Sequence, residues 1–160
     1  MKWLLAKVRY ERPADDGSCK KVTEQYIVDA MSFAEAETRI TQSLQPYVKG
    51  EFEVTGINPK NYAEVHFSNF GDADKWYECT LEYITLDEKT ANEKRTKQKM
   101  LIQAKSLRGA INAIDEIMGK TMIDYDNVDV KETAIMDVFK YEPKKRGSRW
   151  KQRLKRTWLG

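Results

Sequence analysis

Between Trp3 and Tyr10 the residues alternate with a period of two. Leu4, Ala6, Val8 and Tyr10 fall on one side and Trp3, Leu5, Lys7 and Arg9 on the other, which predicts a half-buried strand. The polar run from Glu11 to Ser18 carries Pro13 and Asp16-Gly17 turn chemistry. Lys21–Asp29 then returns as a second strand, so the two form a hairpin. Ser32 with Glu35 makes a Ser-x-x-Glu capping box, and the helix it opens carries Phe33, Ala36, Ile40 and Leu44 on one stripe until Pro46 stops it. Two further alternating stretches, Glu51–Ile57 and Tyr62–Ser68, flank a turn at Asn58-Pro59-Lys60-Asn61.

After the Gly- and Asp-bearing loop 69–74 the pattern begins again. Lys75-Trp76 matches Lys2-Trp3, and Tyr83 follows Trp76 at the spacing by which Tyr10 follows Trp3. The segment Tyr26–Ala36 lies on Met100–Ala110 without a gap, each an apolar strand running into a Ser-started helix. The second hairpin loop is Leu86–Arg95. Ser106 caps the second helix, whose stripe is Leu107, Ala110, Ile111, Ile114 and Ile117 and whose end is marked by Gly119 in the C′ role. Gly109 stands where the capping-box Glu would be, so this helix start is the weaker of the two. Strands at Asp124–Lys131 and Ala134–Lys140 close the second copy. The reading is an α+β protein built as a tandem duplication of a β-β-α-β-β unit, residues 1–70 and 71–142, with antiparallel sheet and one helix per repeat. A single helical layer would leave one sheet face open to a partner.

Composition refines this picture at the C-terminus. Eight of the 28 basic residues lie between Lys144 and Arg156, and none of the 25 acidic ones lies beyond Glu142, which leaves residues 1–142 with 20 basic against 25 acidic side chains. A mildly acidic body therefore carries a basic tail, 143–160, the pattern of a folded module with an interaction arm. Hydrophobic content of 41% is that of a globular chain. No run reaches the length of a membrane span, and the apolar stretch at Met1–Lys7 is too short for a signal peptide, so a cytoplasmic protein is expected. Cys19 in a polar loop and Cys79 in a strand pattern are expected as free thiols, and no Cys/His cluster calls for a metal or other cofactor.

Several of these features together resemble a known family: Lys2-Trp3, Val22-Thr23-Glu24, Tyr26–Ala36, Gly50–Val54, Trp76, Ile84–Lys89 and Ile135–Phe139. It is the domain of unknown function 4494 family, marked by the Val-Thr-Glu motif, and the likeness covers about residues 2–142. The resemblance implies a setting in Bacteroidetes or their phages and confers no activity, so no residue inherits a catalytic role from it.

Candidate chemistry is thin in the body. Glu24 reads either as an acid, base or cation ligand, or as a strand residue paired across the ladder with Lys7 or Arg9. His66, the one histidine, reads as a general base only if a nucleophile and an orienting acid meet it, and otherwise as an exposed strand residue. Asp15-Asp16 and Asp72 with Asp74 lack the ligand spacing of a calcium loop and read as solvated turns. Trp3 and Trp76 either stack bases on an open face or pack in the core or at the seam between copies. With no nucleophile elbow, P-loop or dinucleotide fingerprint, a non-enzymatic role is expected.

The tail carries the functional expectation. Ser148 can cap a helix in which Trp150, Leu154 and Trp158 fall at i, i+4 and i+8. Lys144, Lys145, Arg146, Arg149, Lys151, Arg153, Lys155 and Arg156 supply the charge before and around that stripe. These residues, Trp150 included, form the candidate nucleic-acid-binding site, with contacts to phosphate that would be independent of sequence. Two alternatives stand beside it: a protein-interaction module that docks on a larger assembly through the tail helix or a sheet edge, and a tail whose tryptophans dock on its own body.

Overall fold

The computed structural model describes residues 2–48 and 50–141. Within them the chain forms an α+β fold of eight strands and two helices, divided into two compact units. The basic tail lies outside the described residues.

Among the described residues, the first unit comprises those up to Lys60 together with 134–141. Its strands β1 (Lys2–Pro13) and β2 (Cys19–Ala30) form the expected hairpin, joined by a short loop in which Gly17 takes a φ of +85° and Asp16 Oδ1 accepts from the Ser18 amide at 3.0 Å. Helix α1 (Phe33–Leu44) follows, then β3 (Phe52–Lys60). The order in the sheet is β3-β1-β2-β8, where β8 (Ile135–Phe139) is the last strand among the described residues and runs parallel to β2. Leu4, Ala6, Val8 and Tyr10 meet Tyr26, Val28, Ala30 and Phe139 under Ala36, Ile40 and Leu44 of the helix.

The second unit, residues 61–133, contains a similar set of elements, with its short parallel strand first in the chain and not last. It contains β4 (Glu64–His66), β5 (Lys75–Leu86), β6 (Glu93–Ala104), α2 (Leu107–Gly119) and β7 (Asp124–Glu132), with the sheet order β4-β6-β5-β7. Here β4 runs parallel to β6, as β8 does to β2. Tyr77, Cys79 and Leu81 meet Met100, Ile102 and Ala104 under Ala110, Ile114 and Met118. A bulge interrupts β1–β3 between Lys7 and Val8 and β5–β7 between Thr80 and Leu81, the corresponding place in each sheet.

Four expectations change. The short fourth strand of each sequence copy joins the other copy's sheet, so the sheets do not divide in loop 69–74: the chain leaves the first unit after Lys60 and returns at Ala134. The turn expected at Asn58–Asn61 is absent, because β3 continues through Lys60, which pairs with Trp3. Pro59 is tolerated there since β3 is an edge strand and needs no outward N–H donor.

The face away from the helix is not open. Leu5, Ile27 and Val138 are buried there in the first unit, and Trp76, Leu101 and Gln103 in the second. The continuous apolar runs Leu4-Leu5-Ala6, Tyr26-Ile27-Val28 and Met100-Leu101-Ile102 are the sequence mark of strands covered on both faces. Finally, neither helical stripe is buried throughout: Phe33 and Leu107 are exposed, Ile111 and Ile117 are half-buried, and Met118 joins the core where Leu107 does not. Gly119 is the last helical residue with an ordinary φ, and Lys120 closes the helix by donating to Ile117 and Met118 carbonyls.

Candidate functional site

The residues proposed from sequence to hold phosphate, Lys144 to Arg156 with Trp150, all lie outside the described residues. Among the described residues, four polar clusters stand out.

The Val22-Thr23-Glu24 motif lies in β2, and the antiparallel register sets Glu24 opposite Val8. Directly opposed residues share a face, so Glu24 points with Val8 and Tyr10 into the helix side, away from Lys7 and Arg9. The expected pairing with those two bases is therefore not made, and Arg9 pairs with Glu53 instead. The buried Glu24 carboxylate accepts the Tyr10 hydroxyl at 2.6 Å and the Tyr26 hydroxyl at 2.8 Å. Burial, reinforced by the Glu24 carboxylate, pushes both phenols well above their ordinary range, so both remain protonated donors. Beside Tyr10 opens a cavity of about 880 Å³, lined among others by Arg9, Arg12, Lys21, Tyr47 and Phe52.

In the second unit Glu78 is the counterpart in kind but not in position. Its carboxylate lies on the face away from the helix and accepts the Tyr62 hydroxyl at 2.9 Å, with Lys99 and Lys131 each 3.8 Å from the other oxygen. Nearby, Trp76 is fully buried and takes Phe67 edge-on at 5.3 Å. Trp76 is thus a packing residue and unable to stack a base, whereas Trp3 is half-buried.

His66 Nε2 lies 2.9 Å from Glu64 Oε2, and the ring is half-buried where an exposed one was expected. No nucleophile joins the pair in the contacts described. The loop acids are turn residues: Asp16 binds Ser18, which holds its carboxyl below the usual range, and Asp72 pairs with Lys105 at 3.2 Å. Cys19 is exposed and Cys79 buried, both free thiols, and burial pushes the Cys79 thiol up to about 12, where it is no nucleophile at neutral pH. Among the described residues no three His, Cys, Asp or Glu side chains gather as a metal site, and no helix is long and apolar enough to cross a membrane.

The fourth cluster was not anticipated. Asp29, at the end of β2, accepts the Tyr141 amide at 2.6 Å and the Arg39 guanidinium at 3.1 Å through one oxygen, while Arg39 also donates to the Asp29 carbonyl. The guanidinium lies 4.9 Å over the Tyr141 ring. This joins α1 to the last described residue. Its sequence signal is slight, an Asp ending an apolar strand and an Arg ten positions on, because the partner at 141 is distant in the chain.

These clusters can fix strands and exclude water from buried carboxylates; none assembles a nucleophile, base and oxyanion donor. Residues 2–141 match the model of a family described as Domain of unknown function (DUF4494). No curated protein matches the chain.

Proposed function

We propose that this chain, which belongs to the DUF4494 family of domains of unknown function, is a non-enzymatic nucleic-acid-binding accessory protein that acts through its basic C-terminal arm. The observation that carries the reading is the charge asymmetry: eight basic residues and no acid between Lys144 and Arg156, against 20 basic and 25 acidic residues before them. Neutralising phosphates with these side chains releases counterions and yields sequence-independent affinity. The arm is read as a helix with Trp150, Leu154 and Trp158 on one stripe, carried by a body that arose by tandem duplication. The matched sheet orders and the bulges at corresponding places support that duplication. Bacteroidetes or their phages remain the proposed source, and the cytoplasm the proposed compartment.

A titration of labelled single- and double-stranded DNA and RNA, with the full chain and with a chain ending at Glu142, tests the proposal. Binding is expected to need the arm and to weaken with salt, with a logarithmic slope of up to about −7 on duplex DNA if all eight bases contact phosphate. Equal binding by the shortened chain, or none by either at low salt, overturns it.

The second reading, a module docking on a larger protein assembly, is favoured by one feature. The edge strand β7 is mostly exposed along its nine residues, and such an edge can accept a strand from a partner. A pull-down that recovers one stoichiometric protein, with no affinity for nucleic acid, supports that reading instead.

A further inference from the structure

The β2–α1 turn of the first unit exposes two large apolar side chains, Met31 at 68% and Phe33 at 55%. Neither joins the core beneath the helix, although Phe33 sits at core spacing along the chain. The corresponding turn in the second unit reads Lys105-Ser106-Leu107, so a base stands where the first unit has Met31. The apolar pair is therefore not a requirement of this turn.

The turn is tied to the point where the described chain ends. The Met31 amide donates to Glu35 Oε2 at 3.0 Å, and the Arg39 guanidinium lies 3.8 Å from Glu35 Oε1. The same guanidinium covers the ring of Tyr141, whose amide is held by Asp29, two residues before Met31. Tyr141 is itself 43% exposed. From Tyr141 to Trp150 is nine residues, a reach of roughly 30 Å when extended. A segment bearing an apolar stripe thus starts beside an exposed apolar patch and is long enough to fold back on it.

We propose that Met31, Phe33 and Tyr141 form the docking surface for the chain's own C-terminal segment, which seats Trp150, Leu154 and Trp158 there as a helix. About twelve residues make a marginal helix in isolation, and a patch that buries its stripe supplies the missing stabilisation. At 100° per residue, Arg149, Arg153, Lys155 and Arg156 lie well off that stripe. Docking would leave these four outward, so the patch presents the cationic face to a ligand and does not hide it. The inference uses the helical reading of the arm but not its affinity for nucleic acid, so the two fail separately.

Amide hydrogen exchange on the full chain, without nucleic acid, tests it. Backbone amides from 150 to 158 are expected to exchange at least tenfold more slowly in the native chain than in the Met31→Ser/Phe33→Ser double variant. Leu107→Ser, at the corresponding turn of the second unit, should leave them unchanged. All three altered residues are exposed, so the fold should persist, and unchanged protection of β1 and β5 verifies that. Equal exchange of the segment in the native chain and the double variant overturns the proposal. So does protection that grows with protein concentration, which would assign the patch to the arm of a second copy.

Discussion

Glu24 is buried on the helix side of the first sheet, opposite Val8. Its identity within Val22-Thr23-Glu24 suggested either chemistry or a surface ion pair, and the register makes it the acceptor for two buried phenols. Glu24→Ala would leave the Tyr10 and Tyr26 hydroxyls buried without that acceptor, an expected loss of about 2–4 kcal/mol in denaturant unfolding, with Glu24→Gln losing less because one oxygen remains. A loss below about 1 kcal/mol would mean the phenols find water, and the motif would then be free for another role.

Cys79 makes a second prediction at this scale. Its thiol titrates near 9.0 when unfolded and at about 12 when folded, so below pH 9 both states hold the proton and its contribution is complete. Above that the unfolded state loses its proton first, and stability falls as pH rises towards 12. Tyr10, Tyr26 and Tyr62, whose pKa values are raised from 10.0, act in the same direction at higher pH. Unfolding midpoints should therefore decline steadily above pH 9, less steeply in Cys79→Ala. At neutral pH a thiol reagent should modify Cys19 quickly and Cys79 only as the protein opens.

At the scale of elements, the two helices start alike and are capped unequally. Ser32 and Ser106 each accept the amide three residues on, at 3.2 and 3.1 Å. Only α1 adds a return bond, donated to Glu35 by the amide of Met31, the residue before the cap. In α2 the corresponding residue is Gly109, where a Cβ would meet Ser106 Oγ at 3.4 Å and Ala104 Cβ at 3.7 Å, ordinary contacts, and no unusual φ demands glycine. Gly109→Ala should therefore stabilise the chain by about 0.5–1 kcal/mol, seen as a higher melting temperature. A destabilising result would mean that the close approach of Ala104 decides.

The caps, helix limits and long strands were legible because each is written within about a dozen residues. The turn at Asn58-Pro59 was misread because an Asn-Pro pair signals a turn only where the neighbouring strand has ended. Here β1 still offers Leu4 and Leu5 as partners to Pro59 and Asn58. The candidate site was legible only as composition: the tail's charge could be counted, while the Asp29–Arg39–Tyr141 cluster needs residues more than a hundred positions apart.

For the whole molecule, the placement of β4 and β8 makes residues 1–70 and 71–142 interdependent. Residues 1–70 carry β4, which pairs with β6, and lack β8, which pairs with β2. A fragment of residues 1–70 should therefore lack the strand that shields Tyr26 and Val28 on the β2 side. It should show no sharp cooperative unfolding and poor amide dispersion, whereas residues 1–141 should show both. A fragment that unfolds cooperatively with native-like stability would show β8 to be dispensable.

The sequence by itself determined the local elements and the sides they bury, since periodicity, capping residues and apolar runs act through neighbours within a turn or a strand. It also determined where charge accumulates. Only the tertiary structure decided which sheet the short strands β4 and β8 complete. Alternation specifies a strand's faces but not its neighbour: any strand edge presents the same backbone donors and acceptors, and the choice among edges is made by packing between residues far apart in the chain.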